Sequence, residues 1–375
     1  MKRILAPLAG AVATSALLGM VVPAPARAYD ITVTSPLVPQ AEVSSTLAYW
    51  LGNGARAFAA ATPYLLPVTI TATPVPRGDA EPDGDRGVVP AVAGARRVPG
   101  VSRNVNLPRT AGRVFFVGAD HRPHWCAGTS VQADHRNLVA TAGHCVYEPG
   151  RRPSVAAART YRHWVFVPGF SRAASGATAP LGVYPGKQAF AHQDFTRYGD
   201  LDRDYAFVSV HDGVLPRRVA LSGAARYAAF TGPKYRTRTG YTGVLLTRAG
   251  RLGDKVGEQG LAYNLPVRGS LAVFGYPVGP ASGAAPTGLR RSYGRPFRVW
   301  DLTQKADELV AVRAPFVSAG GSPWLAAYRG GRGLGYLNGL TIGMSGQSIA
   351  LSPYFDGELF HVYDAARHER VPSPA

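Results

Sequence analysis

The stretch CAGTSVQADHRNLVATAGHC, residues 126–145, decides how this 375-residue chain is read. It opens on Cys126, runs through small and β-branched residues, turns at the polar QADHRN, and continues as LVAT into Thr141-Ala142-Gly143-His144-Cys145. The pattern predicts a strand, a turn and a second strand, with a histidine at its end. Cys126 and Cys145 are the only cysteines. Their separation lacks zinc-ligand spacing, and an oxidising compartment leaves them free to pair. A bridge would pin the strand end that carries His144 and would be worth about 3 kcal/mol on the loop-entropy model. General-base chemistry depends on ångström-scale placement, so a histidine fixed in this way is a candidate base.

Working outward, the chain from Gly112 onward is a series of short β-branched and aromatic runs separated by Gly/Pro turns. Strands are expected at 113–117, 137–141, 163–167, 205–210, 271–274 and 309–312. Such a series indicates an all-β sandwich or barrel, and pattern alone leaves both open.

Upstream, the composition changes three times. Residues 1–28 combine Lys2 and Arg3, an Ala/Leu-rich run to Val22, and Ala26-Arg27-Ala28. That order predicts a Sec-type signal peptide cleaved after Ala28, and so a secreted protein. No later segment is long and apolar enough for a transmembrane anchor. Residues 29–72 form a small pre-segment. Within it, 41–62 is the best helix candidate, interrupted by Gly52 and Gly54. Residues 73–110, with PVPRGDAEPDGDRG, are expected to be an exposed linker. A main domain over 111–366 and a tail over 367–375 complete the division.

Hydrophobic content of 46% suits a chain that buries a core. The net charge is +18, and the leader takes three cations with it. Such a surface favours anionic cell-wall or surface polymers. Zinc-finger spacing and an RNP-like aromatic strand are both missing, so specific nucleic-acid recognition is not expected. No cofactor or metal is expected either. The sequence does not disclose an oligomeric state.

The 126–145 string closely resembles the histidine motif of the chymotrypsin-like serine peptidases. Leu201-Asp202-Arg203-Asp204-Tyr205-Ala206-Phe207-Val208 resembles the family's aspartate segment. Asp204, directly before the strand, takes the role ahead of its competitor Asp202. VFVPG at 165–169, GYLNG at 335–339 and SPYF at 352–355 resemble exported bacterial members. YWLGNGARAFAAATP at 49–63 resembles, more loosely, their pro-segment. The likeness covers about 110–365. It implies two six-stranded Greek-key barrels, with Asp204 orienting His144 and a peptide substrate lying between the barrels.

The nucleophile departs from that pattern. The family places its serine in a Gly-rich turn before proline, where two backbone N–H groups can aim at one oxyanion. The counterpart here is FVSAGGSPWL, residues 316–325. Aligned on Pro323-Trp324, it puts Gly320 at the serine position and Ser318 at that of the oxyanion-hole glycine. Three serines compete as replacements: Ser318 by a slipped turn, Ser322, and Ser345 in GMSGQS. Ala314 falls at the base of the primary specificity pocket, where an acid would select Arg or Lys. The leading expectation is an exported peptidase homologue that has lost, or nearly lost, hydrolysis and could still bind peptides or proteins through its cleft, or anionic surfaces through its charge. The alternatives are an active endopeptidase using Ser318 and a structural or adhesive protein. An occluded cleft with a basic face elsewhere would favour the last.

Overall fold

The computed structural model describes residues 32–66, 69–74, 82–95, 106–148, 159–173, 176–278, 288–301, 303–346 and 348–370. The expected signal peptide lies outside the described residues, as do parts of the expected linker and tail. No helix among the described residues is long and apolar enough to cross a membrane.

The chain is all-β in its main body. Six strands, β1 (Ala111–Val117), β2 (Pro123–Val131), β3 (Leu138–Thr141), β4 (Arg162–Pro168), β5 (Tyr184–His192) and β6 (Ala206–Val210), pair antiparallel in the order β5-β6-β3-β2-β1-β4. Tyr184 and Pro185 then pair with Phe166 and Val165, closing the ring. Every residue of β1 is buried because both of its faces are covered. Val114 and Phe116 point into the barrel core with Trp164, Phe166, Val139 and Phe207. Phe115 points outward into a second cluster, where it meets Trp50 and Phe58.

Those two aromatics come from the pre-segment. Helices α1 (Val43–Leu51) and α2 (Arg56–Ala60) are separated at Gly52–Ala55, where Gly54 has φ +70°, so the expected glycine break is present. Trp50 is fully buried and its indole N–H donates to the carbonyl of His163 at 2.6 Å. Thr32–Pro36 adds an edge strand to β5, and Thr62–Pro63 runs parallel to β2 at His124 and Trp125.

The second half departs from the expected pair of closed barrels. It consists of a six-stranded sheet built on Leu271–Gly275, Pro323–Arg329 and Leu334–Leu340, and a five-stranded sheet built on Phe297–Asp301, Ala306–Arg313 and Ile349–Pro353. Among the described residues no ladder joins the two sheets. N-terminal strands occupy one edge of each: Gly87–Val89 pairs with Gly260–Tyr263, and Thr73–Pro74 pairs with Phe297–Asp301. Those edge hydrogen bonds are spent on the incoming chain rather than on closure. Gly87–Val89 also places a strand inside the stretch read from sequence as linker.

Between the halves, Gly213–Leu221, Lys234–Thr237 and Gly240–Gly250 form a three-stranded antiparallel sheet crossed by the short helix Ala224–Ala229. At the C-terminus, Gly357–Arg367 is helical, and the Asp356 carboxylate accepts from the Leu359 N–H at 2.8 Å as its cap.

Candidate functional site

His144 sits on a single 3-10 turn, Gly143–Cys145, at the end of β3. Glycine is required before it, since a Cβ on Gly143 would lie 2.6 Å from the Phe195 ring. The Cys126–Cys145 disulfide ties this turn to β2, with Cα atoms 6.1 Å apart. The Trp164 indole N–H donates to the Cys145 carbonyl at 3.1 Å. Cys126, His144 and Cys145 are close enough together to suggest a metal cluster, but both sulfurs are consumed by the bridge.

Asp204 follows the 3-10 turn Leu201–Arg203 and leads into β6. Its Oδ2 accepts from His144 Nδ1 at 2.7 Å, and its Oδ1 accepts from the His144 backbone N–H at 2.8 Å. Both side chains are fully buried. Two bonds from one carboxylate fix the ring orientation and the Nδ1–H tautomer, leaving the Nε2 lone pair on the far side. Asp202 does different work. Its carboxylate accepts from the backbone N–H groups of Asp307 and Glu308 at 2.9 and 3.0 Å, fastening the turn to Ala306–Arg313. Burial, reinforced by the neighbouring Asp307 carboxyl, pushes its pKa up to about 8 although those two donors pull the other way.

The Nε2 lone pair meets Gly320. This nitrogen is buried and has no hydrogen-bond partner. A Cβ built on Gly320 would stand 2.4 Å from it and 3.3 Å from Cys145 Sγ. The turn itself is well held. The Gly320 carbonyl accepts from the Ala127 N–H at 2.7 Å, and the Gly321 N–H donates to the Thr341 carbonyl at 2.7 Å. Gly321 has φ +77°, and a Cβ there would lie 2.1 Å from the Ala127 carbonyl oxygen, so both conformation and space demand glycine.

The other serines are engaged elsewhere. Ser318 Oγ lies 3.3 Å from Thr341 Oγ1, which also accepts from the Trp324 indole at 3.0 Å. Ser318 avoids positive φ, so its β-carbon is accommodated without strain. Ser322 Oγ donates to the Ala319 carbonyl at 2.7 Å, and Ser345 Oγ accepts from the Ala72 N–H at 3.1 Å. Ala314 is buried in an apolar cluster with Trp324, Val312 and Tyr354. The structure therefore brings His144, Asp204, the disulfide and Gly320 together, and leaves Ser318, Ser322 and Ser345 without a hydrogen bond to the imidazole.

One element of the site was missed from sequence. After Thr62–Pro63, the Tyr64 N–H donates to the Trp125 carbonyl at 2.9 Å. The Tyr64 ring faces the imidazole of His144, with centroids 6.2 Å apart and planes inclined by 29°. The Tyr161 hydroxyl donates to the Tyr64 hydroxyl at 2.9 Å. Further along, Ile70 is buried beside Gly343, the Thr71 N–H donates to Asp301, and Thr73–Pro74 joins the second half. This N-terminal strap crosses from one half to the other past His144, which has no exposed surface. Its only signals in the sequence are TP dipeptides in a β-branched run, too common to single out.

Comparison with known proteins agrees with this architecture. The protease Anisep from Arthrobacter nicotinovorans superposes with a TM-score of 0.50 at 21% identity, over 70% of this chain and 97% of that one. The thermostable serine protease AL20 from an extremophilic microorganism gives 0.48 at 19%, over 69% and 97%. A Glu endopeptidase gives 0.45 at 15%, over 74% and 97%. No protein-family model and no curated protein matches the chain. At 21% identity the likeness to the first of these is one of fold alone: the chain folds like a serine protease.

Proposed function

We propose that this protein is an exported serine-peptidase homologue without hydrolytic activity, acting as a binding protein through surfaces outside the old cleft. The observation that carries the reading is the meeting of His144 Nε2 with Gly320. An imidazole oriented by Asp204 is ready to take a proton, and the atom before it is a Cα that bears no hydroxyl. Without a nucleophile the acyl-enzyme route is closed. Loss of a triad member in a working serine peptidase lowers turnover on the order of 10⁶-fold.

Two observations favour an adhesive role over capture of peptides in the cleft. Tyr64 lies along the site, and residues 213–250, which form a separate three-stranded sheet, carry seven cations and no acid. The anionic partner expected from the charge remains the preferred one, with Sec-type export as the route to it.

The test is labelling of the folded, secreted protein with a serine-reactive fluorophosphonate, beside Ser318→Ala and His144→Ala variants. No labelling is expected in any of the three. Labelling of the parent that disappears in both variants would restore the endopeptidase reading with Ser318 as nucleophile.

A further inference from the structure

Residues 213–250 carry six arginines and one lysine and no Asp or Glu, so about a tenth of the chain supplies seven of its eighteen net charges. These cations have different duties. Lys234 is used internally, its ammonium donating to the carbonyls of Tyr227, Ala228 and Phe230 at the end of helix Ala224–Ala229. Arg248 is neutralised by Asp212. Arg218 lies on the opposite face of the sheet from Arg217 and lines an apolar cavity with Leu51 and Phe58. Arg217, Arg226, Arg236 and Arg238 remain. All four are exposed, and none makes an ion pair among the described residues.

Register brings two of the four to one face, and the helix and loop that carry the other two adjoin it. Arg236 pairs with Tyr241, and Arg217 pairs with Leu245 on the same central strand. Tyr241 and Leu245 are an even number of residues apart, so both arginines stand on one face. Helix Ala224–Ala229 lies over that face, with the Tyr227 and Tyr241 rings 5.0 Å apart, and it carries Arg226. Arg238 is in the two-residue loop between Thr237 and Gly240 at the sheet's tip. Strand rise and spacing separate Arg217 from Arg236 by on the order of 15 Å. A single ion cannot bridge that distance, whereas an extended polymer can.

We propose that this face docks a linear phosphodiester polymer of the polyol-phosphate kind, one that carries no bases. The inference rests on the adhesive reading and names its partner. All four of these cations without an ion pair are arginine, whose planar fork matches phosphate oxygens two at a time. Bases would need open aromatic platforms, and the rings here are taken. The Arg236 guanidinium lies over both Tyr227 and Tyr241, at 5.4 and 5.7 Å, and Tyr235 packs beside Gly54. The partner recognised by such a surface offers charge at intervals and nothing to stack.

The experiment measures binding of the full secreted protein to poly(glycerol phosphate) across a salt series. Beside it run the variant Arg217→Gln/Arg226→Gln/Arg236→Gln/Arg238→Gln and a charge-matched control, Arg290→Gln/Arg291→Gln/Arg295→Gln/Arg332→Gln, made at exposed sites elsewhere. Circular dichroism and thermal melting confirm that each is folded. The first variant is expected to lose more than tenfold in affinity, and its log–log salt slope to fall by roughly 0.7 per arginine. The control is expected to change by less than half as much on that logarithmic scale. Equal losses in both variants would reduce the effect to net charge and overturn the site. Tighter binding of a single-stranded oligonucleotide, dextran sulfate or polyglutamate of matched charge would overturn the partner while leaving an adhesive role intact. Binding to none of these polymers would sink the inference and the adhesive reading together, whereas fluorophosphonate labelling bears on hydrolysis alone.

Discussion

Gly320 lies directly against His144: a Cβ at position 320 would stand 2.4 Å from the imidazole Nε2. The imidazole cannot yield easily, because Asp204 holds both its ring and its backbone N–H. Placing a serine at this position therefore sets the new side chain against the ring. Gly320→Ala and Gly320→Ser are both expected to lose about 1–3 kcal/mol of stability, as overpacked sites do, read as a lower urea midpoint at unchanged m-value. Gly320→Ser is expected to stay unlabelled by a fluorophosphonate. A serine variant as stable as the parent and readily labelled would show that the ring already has room for a nucleophile.

His144 is fully buried, while His121 and His361 are exposed. In the native protein, diethylpyrocarbonate should modify His121 and His361 quickly and His144 on the order of a hundredfold more slowly, if its opening free energy is near 3 kcal/mol. Tyr64→Ala should raise the His144 rate at least tenfold with the two references unchanged, as followed by peptide mass spectrometry. An unchanged rate would mean that the strap does not guard the ring.

The disulfide closes a loop across nineteen residues and anchors the turn that bears His144. Cys126→Ala/Cys145→Ala should cost about 3 kcal/mol by the loop-entropy relation. Chemical denaturation under matched redox conditions tests this. A loss below about 1 kcal/mol would show that the Trp164 hydrogen bond and the surrounding core hold the turn without help.

Glu258 gives the fold a pH dependence. It is fully buried, reaches Arg136 only at 3.5 Å, and burial pushes its pKa up from 4.5 to about 7 against the pull of that guanidinium. Between those two values the folded carboxyl keeps a proton that the unfolded chain has released. Stability from this group therefore falls as pH rises from about 4.5 to about 7, by up to about 1.4 kcal/mol per unit, and is level above. Glu258→Gln should flatten that part of the profile in urea titrations at pH 5, 6, 7 and 8. A variant profile parallel to the parent's would assign the slope to other carboxyls.

Much of the first barrel was legible because its signals are local. A β-branched run between turn residues gives a strand whatever surrounds it, and 113–117 and 163–167 both lie in strands of that barrel. Asp204 and Asp202 stand two residues apart in one polar turn, and the structure gives them different partners, the His144 imidazole for one and the Asp307 N–H for the other. The closure of the second half was not legible. Whether two sheet edges meet depends on which other strand reaches them first, and Thr73–Pro74 and Gly87–Val89 come from a stretch whose composition reads as linker. The sheet between the halves was overlooked for another reason. Its hairpin 234–250 alternates polar and apolar residues about a two-residue loop, but its arginines read as general surface charge until register sorts them by face.

The strap has a mechanical consequence as well. It is moored to β2 at Thr62 and Pro63 and to the five-stranded sheet at Thr73 and Pro74, so any hinge that parted the halves would have to peel one mooring away. The halves are therefore tied twice, once by the chain that runs from one into the other and once by the strap that bridges their sheets, and two ties restrict a rotation that a single connection would allow.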